Sequence, residues 1–101
     1  MANYVAHYRK KLETLRRQRL NLLRLLERNP APGELAQAAD AVKDSQVRAL
    51  QAKRAQIRPC DSNAKRLRNI DVEIARCEKL SVDEIIDLCR RCRSKSSHNQ
   101  T

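Results

Sequence analysis

Apolar side chains recur at alternating steps of three and four through the first 26 residues, which limits this segment to a helix with one buried face. The series consists of Val5, Tyr8, Leu12, Leu15, Leu22 and Leu26. Arg19 interrupts it once, between Leu15 and Leu22. Leu20, Leu23 and Leu25 widen the apolar surface, and that favours a helical bundle over a lone two-stranded coiled coil.

Prolines and capping residues divide the chain into further helices. Pro30 disfavours helical geometry in the residue before it, and the short "NPAPG" link favours an antiparallel neighbour. Pro59 ends the second helix, whose alanine-rich face allows a close approach of two backbones. Ser81 and Glu84 form a capping box that starts the last helix. The predicted helices are 3–28, 34–57, 62–79 and 82–93.

The composition supports an all-α fold. With 101 residues, no Phe or Trp and two Tyr, the chain must build one core from Leu, Ile, Val and Ala, which suits helix packing. We expect a single domain over residues 1–93. It is a long antiparallel, coiled-coil-like hairpin with two shorter C-terminal helices, together a small helical bundle. The polar residues 94–101 are expected to be a disordered tail.

The charge is strongly positive and unevenly distributed. Lysine and arginine number 22 against 12 aspartates and glutamates, for a formal net charge of +10. Residues 1–29 contribute +6 of it, which favours a polyanion or an acidic protein surface as partner. No window approaches the roughly 18 uncharged apolar residues of a membrane span, and the N-terminus lacks a secretory pattern. We therefore expect a soluble cytoplasmic protein with no membrane partner.

Basic residues of the first helix fall on the face opposite Leu12 and Leu15. The predicted nucleic-acid-binding residues are Arg9, Lys10, Arg16, Arg17, Arg24 and Arg28. From Arg9 to Arg24 they span about 22 Å of helix. Arginine binds phosphate bidentately, and Glu13 is the one acid near this face, so pairing within the helix cannot absorb the charge.

These residues predict a small non-enzymatic accessory or regulatory protein that contacts nucleic-acid backbone. Because no aromatic residue is interleaved with the arginines, duplex DNA or structured RNA is favoured over single strands. The alternative is a helical adaptor or inhibitor that docks on an acidic or nucleic-acid-binding surface of a partner protein. A solvated face without a partner is the third interpretation. Self-association into a homodimer is a further possibility, since the first helix has more apolar surface than an alanine-rich second helix can cover.

The four cysteines allow a metal site, a redox pair or buried thiols. Cys60 and Cys77 lie about 25 Å apart if the third helix is continuous, so they cannot share a metal ion. Cys89 and Cys92, in "CRRC", lie near a helix C-terminus, where the dipole raises a thiol pKa. We therefore expect Cys77 and Cys89 to be buried thiols, with no metal and no cofactor.

The C-terminal segment has a second interpretation. Ala75, Leu80, Ile85 and Leu88 have spacings that resemble those of bacterial helix-turn-helix regulators, whose second helix enters the major groove of DNA. The sequence departs from that pattern at Lys79, where the family often has glycine, and in the acidic start of the last helix. The plainer interpretation is an antiparallel helical hairpin with a capping box.

Nothing in the sequence indicates catalysis. His7 and His98 have no partner motif, and a chain with one glycine has no glycine-rich phosphate loop. We expect no enzymatic activity and assign no catalytic residue.

Overall fold

Four α-helices build the protein, as predicted, in a computed structural model that describes the backbone of residues 3–99 and the side chains of residues 5–92. A single 3-10 turn, Asp61–Asn63, precedes the third helix. No strand occurs in this part of the chain. The helices are α1 (Asn3–Leu26), α2 (Pro32–Ala55), α3 (Ala64–Glu78) and α4 (Val82–Asn99).

α1 and α2 form the expected antiparallel hairpin. Arg19 of α1 contacts Gln46 of α2, and His7 near the start of α1 lies beside Ala55 at the end of α2. The reversal occurs over residues 27–31. Asn29 adopts a left-handed conformation with φ 54°, which asparagine tolerates better than most residues and which ends the helix before Pro30.

The core lies between α1, α2 and α4. α1 contributes leucines, α2 mostly alanines, and α4 two isoleucines and a thiol, so large side chains of α1 pack against small ones of α2. The buried residues of this cluster are Leu15, Leu22, Leu23, Ala39, Val42, Ala49, Ile85, Ile86 and Cys89. Val5, expected in the apolar series, is instead exposed.

α3 and α4 do not form the antiparallel pair expected for a C-terminal hairpin. α3 packs against α2, whereas α4 packs against both α1 and α2. Leu22 and Leu23 of α1 are buried in the same cluster as Ile85 and Ile86 of α4. Part of the apolar surface of α1 is thus covered within one chain, whereas Val5 and Leu20 are exposed.

Polar contacts fix α3 on the outer side of α2. Arg54 donates two hydrogen bonds, of 2.8 and 3.3 Å, to the carboxylate of Asp71. Lys43 donates to the backbone carbonyls of Glu78 and Leu80, both at 3.4 Å, and so places a positive charge at the C-terminus of α3.

Most helix ends lie within two residues of the bounds predicted from the sequence, and the largest difference is at the end of α4. α4 runs to Asn99 instead of ending near Arg93, because neither proline nor glycine follows to stop it. Of the expected tail, 94–101, residues 100 and 101 lie outside the described residues, as do the side chains of the remainder.

Candidate nucleic-acid interface

The basic face of α1 is an exposed surface on one uninterrupted helix. α1 is continuous over Asn3–Leu26, and its opposite side is buried through Leu15 and Leu22. The predicted site residues on the helix are all exposed: Arg9, Lys10, Arg16, Arg17 and Arg24. We call these five residues the basic face.

The basic face consists of two rows. Residues seven positions apart lie on nearly the same side of an α-helix, so Arg9 and Arg16 form one row. Lys10, Arg17 and Arg24 form the other. In the stretch from Arg9 to Arg24, two exposed residues, Glu13 and Leu20, lie between the rows; we call them the central line. The sequence pattern assigned Leu20 to the apolar surface, but its side chain is 42% exposed.

The three ion pairs found between described side chains all lie outside the basic face. The ion pairs between described side chains join Arg48 with Asp44, Arg54 with Asp71, and Arg91 with Asp87. These pairs lie on α2, α3 and α4. The positive charge of those helices is partly neutralised within the chain, whereas none of these three ion pairs uses a residue of the basic face.

Arg28 is not part of the basic face. It was expected on the first helix, but α1 ends at Leu26 and Arg28 lies exposed in the turn that follows. Its backbone N–H donates to the carbonyl of Leu25 at 3.0 Å, a bond that tightens the end of the helix. The helix ends early because Asn29 must already adopt the left-handed conformation.

A depression at the edge of the α1–α2 hairpin carries further positive charge. It has a volume of about 550 Å³, with Ala52 and Ala55 on one side and the basic side chains His7, Lys11 and Arg48 around it. Because Arg48 is paired with Asp44, this edge is less cationic than the basic face.

A part-buried polar contact joins α1 to α2 within the bundle. The guanidinium of Arg19 donates a hydrogen bond of 2.6 Å to Oε1 of Gln46. The charge of Arg19 also lowers the pKa of the Cys89 thiol on α4, against the effect of burial. The sequence singled out Arg19 as an interruption of the apolar series but gave no signal for Gln46 as its partner.

The cysteines are free thiols in three different settings. Cys77 and Cys89 are buried, as expected, and burial raises the pKa of both thiols. The charge of Lys43 offsets part of the rise in pKa at Cys77, and the charge of Arg19 offsets part of it at Cys89. Cys60 is exposed, and a hydrogen bond with Ser62 lowers its pKa. Cys92 is half-buried. Within the described part of the chain, no three His, Cys, Asp or Glu side chains gather closely enough to hold a metal ion.

The start of α4 has the predicted capping box. The backbone N–H of Glu84 donates to Ser81 Oγ at 3.2 Å, and the backbone N–H of Ser81 donates to Glu84 Oε1 at 3.1 Å. Ile85 is buried in the core, and Asp83 and Glu84 are exposed beside it. An acidic surface at this end of α4 repels phosphate, so the geometry gives the helix-turn-helix interpretation no support.

A groove of about 440 Å³ lies between α2, α3 and α4. Leu50, Cys77 and Leu88 provide apolar lining, and Glu84 and Asp87 are among its charged residues. These carboxylates make the groove a poor continuation of the basic face.

No helix in the described residues combines the length and apolarity needed to cross a membrane.

Comparison with known proteins assigns no family to the chain. No family model, no curated protein and no solved structure matches it.

Proposed function

We propose that this protein is a non-enzymatic accessory or regulatory protein that binds the backbone of double-stranded nucleic acid through the basic face of α1. One observation carries the proposal. Five cations stand exposed in two rows on a single helix, and none of the described ion pairs uses them. The opposite side of α1 packs on α2 and α4, so the helix is held as a rod before it meets a ligand.

The dimensions of the basic face suit a phosphate backbone. From Arg9 to Arg24 it covers about 22 Å, and each strand of a duplex carries a phosphate about every 3.4 Å along the helix axis, so several phosphates lie within this length. Four of its five residues are arginines, whose planar fork binds phosphate bidentately. Each cation that neutralises a phosphate releases counterions, so binding of this kind weakens steeply with salt.

The adaptor alternative uses the same surface. Leu20 lies exposed in the middle of the basic face, and protein interfaces commonly surround an apolar contact with charged residues. An acidic protein, or an enzyme groove that normally holds nucleic acid, presents a complementary surface. Purification without nuclease separates the two functions: co-purifying nucleic acid that high salt removes supports the first, and nucleic-acid-free protein that captures one acidic partner supports the second.

The direct test is a salt series with a fluorescent 20-base-pair duplex. We expect the logarithm of the binding constant to fall linearly with the logarithm of salt concentration. Substitution of Arg16 and Arg17 with glutamine should weaken binding and reduce the slope by about 2, or about 1 for each phosphate that the variant no longer neutralises.

The matched control removes two charges elsewhere. Lys65 and Arg66 are exposed on α3, away from the basic face, and Lys65→Gln/Arg66→Gln should bind like the wild-type protein. If the wild-type protein does not bind the duplex at low salt, or if both double variants lose the same affinity, the proposed function is wrong.

A further inference from the structure

We infer that α1 lies in the major groove of B-form DNA, where its two rows of cations contact opposite strands and the central line of Glu13 and Leu20 faces the base edges. This inference rests on the proposed function and makes it more specific. It names the nucleic acid as DNA, the groove as the major groove, and two residues as readers of sequence.

The arrangement of the rows is the first reason. Arg9 and Arg16 lie on one side of the central line, and Lys10, Arg17 and Arg24 lie on the other. A helix on the outside of a single strand needs one row of cations. Two rows with a gap between them match a groove with a phosphate backbone along each wall. An α-helix with its side chains is about 10–12 Å wide, and the major groove is about 12 Å wide.

Leu20 is the second reason. An exposed leucine amid arginines gains nothing from a phosphate backbone, yet its side chain is 42% exposed within the basic face. In the major groove it meets an apolar group, because the C5 methyl of thymine projects there.

Glu13 is the third reason. A carboxylate within a phosphate-binding face is repelled by the backbone, but on the floor of the major groove it accepts a hydrogen bond from the exocyclic amine of cytosine. Glu13 and Leu20 are seven residues apart, or about 10.5 Å along the helix. That distance equals about three base pairs at about 3.4 Å each. The two residues therefore contact base pairs that lie about three steps apart.

The same geometry excludes an RNA duplex as the preferred ligand. The major groove of A-form RNA is too narrow and deep for a helix, and RNA also lacks the thymine methyl group. Wild-type protein should therefore bind a DNA duplex at least about tenfold more tightly than an RNA duplex of the same sequence at the same salt concentration.

The decisive experiment changes the thymine methyl and Leu20 together. DNA selected from a random 20-base-pair pool by the wild-type protein is remade with deoxyuridine in place of thymidine, which deletes only the methyl groups. The wild-type protein should lose about fourfold in affinity for each methyl group that Leu20 contacts. Leu20→Ala should bind more weakly than the wild-type protein and be insensitive to the replacement.

Val72 supplies the matched control, since it is an exposed aliphatic residue on α3, with 54% of its surface accessible against 42% for Leu20. Val72→Ala should keep both the affinity of the wild-type protein and its sensitivity to deoxyuridine. The major-groove inference is wrong if the pool shows no enrichment, or if the wild-type protein binds thymidine and deoxyuridine DNA with equal affinity. It is also wrong if deoxyuridine lowers the affinity of Leu20→Ala as much as that of the wild-type protein.

Glu13→Gln gives an independent readout. If Glu13 reads cytosine, the variant should change the base preferred at one position, because glutamine pairs best with adenine. A uniform rise in affinity for all sequences shows that Glu13 only repels phosphate, and overturns the inference. Salt-dependent binding that is equal for DNA and RNA overturns the inference and leaves the proposed function intact, whereas absence of duplex binding overturns both.

Discussion

The guanidinium of Arg19 and the side-chain carbonyl of Gln46 form a 2.6 Å hydrogen bond between α1 and α2. The bond is part-buried, and Nε of Arg19 is a buried nitrogen with no hydrogen-bond partner among the described residues. A buried polar group without a partner costs about 1–3 kcal/mol. The contact joins one position of α1 to one position of α2 and is formed in this register of the hairpin.

We predict that replacing both partners, Arg19→Met/Gln46→Leu, stabilises the fold slightly or leaves its stability unchanged. The double variant removes the part-buried guanidinium and its acceptor together, and apolar replacement of both partners of such a contact is often neutral or favourable by about 1 kcal/mol or more. Urea denaturation followed by circular dichroism measures the change. A loss above about 2 kcal/mol would show that the guanidinium has a favourable partner in solution that the described residues do not supply.

Truncation of two leucines of α1 should lower stability by very different amounts. Leu22 is fully buried, so Leu22→Ala should lower the free energy of unfolding by about 2–5 kcal/mol. Leu20 is 42% exposed, and Leu20→Ala should cost less than about 1 kcal/mol. Thermal unfolding of both variants checks the pair. Similar losses would mean that Leu20 is covered by a neighbouring molecule in solution.

These two residues also mark how far sequence reasoning reaches. The apolar periodicity of α1 predicts that Leu15 and Leu22 are buried, and both are. It does not predict which neighbour covers them, and hence the packing of α4 on α1 instead of on α3 was missed. Periodicity defines the apolar side of a helix, whereas the partner depends on the volumes that facing side chains leave empty.

The basic face was predictable for the same reason, because residues opposite a buried face are exposed. The gap between the two rows was not predictable, since Leu20 counts as apolar in any pattern and only its exposure in the folded structure separates it from the core. Local chemistry was the most reliable guide: the Ser81–Glu84 capping box depends on neighbours three residues apart and needs no tertiary information.

The thiols should react with iodoacetamide in a fixed order. Cys60 is exposed and its pKa is lowered by the hydrogen bond with Ser62, so it should be alkylated first. Cys77 and Cys89 are buried with raised pKa values and should react only after unfolding. Peptide mass spectrometry of protein alkylated with and without urea gives the order. Early labelling of Cys77 would show that the groove between α2, α3 and α4 opens in solution.

The capping box of α4 should make stability depend on pH in the acid range. The backbone N–H of Ser81 donates to the Glu84 carboxylate and lowers its pKa, so the charged form is favoured in the folded state. The contribution is therefore fully present above the pKa that Glu84 has in the unfolded chain, and is lost as the pH falls through the lower, folded pKa. Glu84→Gln should lower the melting temperature at pH 7, and its difference from the wild-type protein should shrink as the solution is acidified.

Asp40→Asn removes an exposed carboxylate from the middle of α2, where it caps nothing, and should leave the melting temperature nearly unchanged across the same range. A Glu84→Gln difference that stays constant down to pH 2 would show that the hydrogen bond to Ser81 does not depend on the charge of Glu84.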